Sequence, residues 1–266
     1  MPTAISIGNM FGGNASGASS GGTPIPAPPS GGFTMTVDTT LSGPSGNDQF
    51  EVKFRAGDTY NCDIDWGDGT TDTITAYNDA ALLHTYGTGG TYTIEITGTI
   101  GNLSWGGGGD ILKITNISHW GGSDLNLGGA SFAMRAYAGT ITATDSPTIN
   151  GTMTGYFFQT LFTSGISAWN MGNATNCLYL LLSNTNWNED ISGWDVGNIT
   201  SFSNAFSGGS LSTANYDLLL NAWSTQTVQT GVPLSVGSTK YTIATSEAAR
   251  IALVAKGWSI SDGGGI

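Results

Sequence analysis

The chain has 266 residues, with seven Lys and Arg against nineteen Asp and Glu and a formal net charge of −12. That length holds one long or two ordinary domains with cores of their own. The negative charge argues against duplex DNA, RNA or an anionic membrane surface as partner, because binding there rests on neutralising phosphate. Charged residues make up 10% of the chain while Gly, Ser, Thr and Asn abound, a composition of extracellular or virion β-structure with neutral polar faces. Helix is expected to be a minority.

The first segment, Met1-Pro2-Thr3-Ala4-Ile5-Ser6-Ile7-Gly8, lacks the basic n-region and continuous apolar h-region of a secretory signal, so the expectation is a protein that uses none. Residues 9 to 32 are rich in Gly, Ser, Ala and Pro and end in Pro24-Ile25-Pro26-Ala27-Pro28-Pro29, a flexible stretch followed by a stiffer polyproline spacer. Ile5, Ile7, Met10 and Phe11 are the sizeable apolar groups ahead of that spacer. No adjacent segment has the composition to bury them, so residues 1–32 are expected to form an anchoring arm docked on another subunit.

Residues 33 to 105 read as a first β module, opening with the alternating strand Phe33-Thr34-Met35-Thr36-Val37. Cys62, Ile64 and Trp66 alternate with Asn61, Asp63 and Asp65, the period of a strand with one buried face. Gly67 and Gly69 then flank Asp68, so the backbone can turn through positive φ while the carboxylate caps local N–H groups. Tyr92, Ile94 and Ile96 alternate with Thr93, Glu95 and Thr97 in a second half-buried strand. Asp63, Asp65, Asp68 and Asp72 supply oxygens of the kind calcium takes, but they sit where turn and outer-face polar residues belong, and no metal is expected.

A Gly-rich bridge, Gly106 to Gly109, leads to Ile111 through Trp120 and into a repeat. Ile166-Ser167-Ala168-Trp169-Asn170-Met171-Gly172-Asn173-Ala174-Thr175 recurs as Ile191-Ser192-Gly193-Trp194-Asp195-Val196-Gly197-Asn198-Ile199-Thr200. Tyr137, Phe157, Leu181 and Phe206 fall at one equivalent position, and Met153, Cys177 and Phe202 at another. Such turns cannot bury their apolar residues singly and must stack, which makes 106–212 a solenoid. Trp169 and Trp194 share one structural position, whereas Trp187 lies outside that register and is the candidate receptor contact. Residues 213–266 read as a small α/β cap, with Ser246 capping a helix that turns Ile251, Val254, Ala255 and Trp258 to one side and ends at Gly257.

Catalytic chemistry is poorly provided for. Glycoside hydrolysis needs two carboxylates across a bond, and the four Glu are scattered: Glu51 and Glu95 on strands, Glu189 in a repeat loop, Glu247 in a helix first turn. His84 and His119 are far apart, and Cys62 and Cys177 fall in different modules at core positions, so both thiols are expected free and buried. Gly106 to Gly109 has neither the Lys-Ser or Lys-Thr nor the helix of a phosphate loop.

Trp66-Gly67-Asp68-Gly69, followed by His84-Thr85-Tyr86 and Gly90-Thr91-Tyr92-Thr93-Ile94, resembles the PKD family of immunoglobulin-like domains, which implies a β-sandwich of the adhesion type. Ile191 to Phe206 resembles the repeat of BspA-like leucine-rich-repeat surface proteins, and Tyr216 to Gly264 is similar to that family's terminal segment. The two likenesses cover about residues 33 to 266. They imply a mainly β fold: a PKD-like sandwich (33–105), a short leucine-rich-repeat solenoid (106–212) and an α/β cap (213–266). The expected protein is not an enzyme and takes no cofactor. It is expected on a virion surface as a bacteriophage decoration, head-fibre or tail-associated protein, assembled as a homo-oligomer on a capsid or tail protein, with a host-surface glycan or protein as a further partner. The alternative is a secreted or cell-surface bacterial adhesin.

Overall fold

A computed structural model describes residues 31–266 apart from 107, 123, 124, 128, 132 and 133. Among these residues the fold is mainly β, with open sheets and two α-helices. Strands β1 (Phe33–Asp38), β2 (Gln49–Glu51), β3 (Tyr60–Asp65), β4 (Thr71–Ile74), β5 (Leu83–Thr85) and β6 (Thr91–Ile100) come first, and β7 (Ile114–Trp120) follows the Gly-rich bridge. The main sheet runs β4-β3-β6-β1-β7-β9, where β9 is Thr140–Ile141. All its neighbours are antiparallel except β7 and β9, and β2 pairs with β5 in a separate two-stranded sheet.

The alternation predicted for β3 is what places it: Tyr60, Cys62 and Ile64 point inward while Asn61, Asp63 and Asp65 are exposed. Register with β6 sets Ile64 opposite Ile96 and Asp65 opposite Glu95. Val37, Phe50, Trp66, Leu82, Tyr86 and Ile94 bury with them.

The sheet does not stop at the bridge. β7, expected with the repeats, pairs with β1 along that strand, setting Phe33 opposite Trp120 and Val37 opposite Ile114. The core is correspondingly one cluster of buried apolar side chains from Phe33 to Trp258.

Beyond β7 the chain winds in stacked coils containing β8 (Ala130–Ser131), β10 (Gly151–Thr154) and β11 (Ala174–Asn176), which pair in parallel in the order β11-β10-β8. Backbone N–H groups of each coil donate to carbonyls of the next. Met134 reaches Tyr156 (3.0 Å), Phe157 reaches Leu180 (2.9 Å), Leu181 reaches Ala205 (2.8 Å) and Phe206 reaches Ser235 (3.2 Å). Two left-handed residues per coil turn the backbone: Gly155 and Gln159, then Tyr179 and Ser183, then Asn204 and Gly208, all with φ between 52° and 68°.

This ladder aligns Met134, not Tyr137, with Phe157, Leu181 and Phe206. Tyr137 is equally buried but sits three residues on, and its hydroxyl donates to Thr140 O. The rung Met153, Cys177 and Phe202 is found as expected, all three fully buried. Both thiols are free, and burial pushes each up to about 12.

Helices α1 (Thr213–Thr225) and α2 (Ile243–Ala255), with β12 (Pro233–Ser235) and β13 (Ser259–Ser261) paired in parallel, close the far end. Ser212 caps α1 by accepting from Asn215 N–H, and Tyr216, Leu219, Leu220 and Trp223 face inward. α2 differs from the expected phase. It starts at Ile243 with Thr242 as its cap, so Ser246 lies inside the helix and accepts from Asn221 Nδ2 at 3.0 Å. The buried stripe is Ser246, Ala249 and Leu253, while Ile251 and Val254 are exposed. Gly257 follows the last turn at φ +91°, the left-handed residue expected there.

Candidate functional site

The described chain begins at Gly31, and Gly32 N–H donates to Glu95 Oε1 at 3.3 Å before the backbone enters β1. β1 is held on both sides, by β6 and by β7. The anchoring residues expected from sequence, Ile5, Ile7, Met10 and Phe11, lie outside the described residues. The segment that carries them therefore joins the fold at an interior strand.

Trp187, expected as a contact face, is 2% exposed. Its ring stacks on Phe206 with centroids 5.7 Å apart, and its indole N–H donates to Glu189 Oε2 at 2.9 Å. The same Glu189 oxygen accepts Ile166 N–H at 3.0 Å. Trp187 thus fills the space between coils, and its polar edge is satisfied by a carboxylate that sequence placed idle in a loop. Being off the Trp169 and Trp194 register marked a different structural position, not an exposed one.

The aspartates around Trp66 each have local work. Asp65 accepts Gly67 N–H (2.9 Å), Asp72 accepts the Trp66 indole N–H (2.9 Å), and Asp63 accepts the Thr73 hydroxyl (2.6 Å). Asp68 accepts Thr70 N–H (3.0 Å) and its hydroxyl (2.6 Å) and lies 2.9 Å from His84 Nε2. Burial pushes the Asp68 carboxyl up, but the Thr70 and His84 hydrogen bonds outweigh it and hold the group below its ordinary value. Gly67, at φ +79°, is required: a Cβ there would come within 2.3 Å of Thr93 O. His84 also stacks on Trp66 (4.6 Å) and meets Tyr86 edge-on (4.5 Å), and Tyr86 donates to Trp66 O at 3.1 Å. The WGDG turn and the His-x-Tyr element therefore form one aromatic clamp.

Sequence reasoning missed the most unusual charged group in the chain. Lys113 is fully buried, and its ammonium donates to Ser45 Oγ (2.7 Å), Gly46 O (2.7 Å), Gln49 O (2.9 Å) and Ser45 O (3.3 Å). Asp110, also fully buried, lies 3.6 Å away and accepts Glu51 N–H (2.8 Å) and the Ser45 hydroxyl (2.6 Å). Together they stitch the loop between β1 and β2 to the bridge before β7. A Lys set in an otherwise apolar strand approach, Ile111-Leu112-Lys113-Ile114, was the available signal.

Among the described residues, no helix is long and apolar enough to cross a membrane, and no three His, Cys, Asp or Glu side chains gather as a metal site would require. No curated protein and no solved structure matches the chain. Residues 130–241, most of the coiled region with the first helix and the turn beyond it, match a family model described as "Mycoplasma protein of unknown function, DUF285".

Proposed function

We propose that the protein is a non-enzymatic structural protein of a virion surface, a bacteriophage capsid decoration, head-fibre or tail-associated protein. Residues 1–32 are its anchor on a capsid or tail protein. What projects outward is a PKD-like sandwich continued by a BspA-like leucine-rich-repeat solenoid and its cap, assembled in multiple copies. The observation that carries this reading is the place where the anchor segment joins the fold: β1 lies inside the main sheet, bonded to β6 and β7. A tether fixed there can hold the whole rigid frame. The stacked coils support it further, since a carboxylate such as Glu189 is spent holding the frame together, between Trp187 and Ile166.

A second reading, a bacterial surface adhesin, is favoured by one finding: the family description for residues 130–241 names a cellular organism. Mass spectrometry of purified phage particles and of washed host cells separates the two. The virion reading expects this polypeptide in the particle at a fixed ratio to the capsid protein, and expects a chain lacking residues 2–32 to fold but not to incorporate. Finding it on cells and absent from particles would overturn the reading in favour of the adhesin. Incorporation of the truncated chain would show that the anchor lies in the folded part.

A further inference from the structure

Side-chain carboxamides tie the later coils together. Gln229 Nε2 donates to Gly197 O at 2.9 Å, and one coil earlier Asn198 Nδ2 donates to Gly172 O at 2.7 Å. One repeat before Asn198 and Gly172 stand Asn173 and Pro147, and there the rung is not made. The Pro147 carbonyl accepts the Ser146 hydroxyl at 2.9 Å instead. Ser146 Oγ is itself fixed by Asn170 N–H, also at 2.9 Å. The Asn173 carboxamide meets no hydrogen-bond partner among the described residues.

The surface opens at this interrupted rung. A crevice of about 310 Å³ is lined by Gly122, Pro147, Thr148, Ile149, Asn170 and Asn173, together with Ser146. Asn170 uses its Oδ1 on Gly172 N–H (3.1 Å) and keeps its amide N–H donors. Thr148 donates to Gly122 O (3.2 Å) and keeps its oxygen lone pairs. Asn170, Asn173 and Thr148 thus bring unspent donors and acceptors to one crevice, whose apolar lining residues Pro147 and Ile149 are themselves buried. No lining residue is charged. The nearby Asp145 has both oxygens engaged by the N–H groups of Trp120 and Gly121.

These features select a ligand chemistry. A charged ligand finds no counter-charge in the crevice, and a chain of net charge −12 repels anions. An apolar ligand would cover the two carboxamides without pairing them. A sugar hydroxyl both donates and accepts, so adjacent hydroxyls match a carboxamide at two points. The volume is at the lower end of small-molecule sites, roughly 300–1,000 Å³, which fits a ring better than a peptide segment.

We propose that this crevice binds one neutral pyranose ring of a glycan, held by the carboxamides of Asn170 and Asn173. The site does not depend on where the chain is displayed, so purified protein tests it separately from the virion reading. The experiment is saturation-transfer NMR on the full chain with the methyl pyranosides of glucose, galactose, mannose and N-acetylglucosamine, and with N-acetylneuraminic acid as the anionic control. At least one neutral ring should receive transfer and the anionic sugar should not. Asn173→Ala and Asn170→Ala should each weaken binding about tenfold, the worth of one to two hydrogen bonds, and Thr227→Ala, on an exposed position of a later coil, should leave it unchanged. Thermal melts followed by circular dichroism establish that each variant is folded, with Asn173→Ser as a second substitution at the same place. Absence of transfer to every neutral ring, equal transfer to N-acetylneuraminic acid, or undiminished binding in both Asn variants would overturn the proposal.

Discussion

Replacing Lys113 by Met keeps the length and apolar stem of the side chain and removes only the ammonium. In the native fold that ammonium has four oxygen acceptors at 2.7 to 3.3 Å and the Asp110 carboxylate at 3.6 Å, with no exposure of either side chain. The substitution leaves a buried carboxylate without its counter-ion, a loss of about 3–5 kcal/mol when one partner of a buried pair is taken away. Ser45 and Gly46 lie in a loop whose neighbours Leu41 to Pro44 are exposed, and Gln49 opens β2 just after it, so water can reach these carbonyls after a small opening, and the total stays near that range. For a chain of this size each kcal/mol moves the melting temperature by about 2–4 °C, so Lys113→Met should melt about 6–20 °C below the parent. Calorimetry reads the shift directly. The double variant Lys113→Met with Asp110→Leu should recover part of it, because the second change removes the stranded charge. A single-variant shift below about 2 °C, or a double variant whose loss is the plain sum of the two, would show that the ammonium is not the organising charge of this loop.

Three other outcomes follow from the coils and the turn. Phe206→Ala should cost about 3–5 kcal/mol, since the ring is 2% exposed and stacks on both Trp187 and Phe202; Glu189→Ala should also destabilise measurably by urea titration, because it strands the N–H groups of Ile166 and Trp187. Asp68 has a folded value below its unfolded one, so its contribution is present above about pH 4 and is lost as pH falls through the folded value. The stability gap between the parent and Asp68→Asn should therefore be full near pH 6 and shrink in strongly acid solution. A gap independent of pH would mean that the ionised carboxylate is not what clamps the turn.

Much of the frame was legible because it depends on local period. The alternation of Tyr60 to Asp65, the glycines around Asp68 and the spacing of Met153, Cys177 and Phe202 each express a backbone geometry in neighbouring residues. What was not legible depended on partners far along the chain. Lys113 takes its acceptors from residues 45 to 49, so its apolar neighbours mark it as unusual without showing what would satisfy a buried charge. Trp187 is buried by Phe206, on the next coil, and satisfied by Glu189. The first rung went to Met134 instead of Tyr137 because the early coil shares too little sequence with the later ones to set its phase. In α2, apolar residues are spread around the helix, so Ile251 and Val254 competed equally with Ala249 and Leu253 for the inner face until packing against α1 decided.

The interior position of β1 fixes how the molecule carries tension. A pull applied upstream of Gly31 runs along a strand whose hydrogen bonds to β6 and β7 lie across the direction of the load. Those bonds on both flanks must yield together, whereas a tether on an edge strand would peel away one pair at a time. Detachment under force is then governed by the rate of breaking the whole strand out of the sheet.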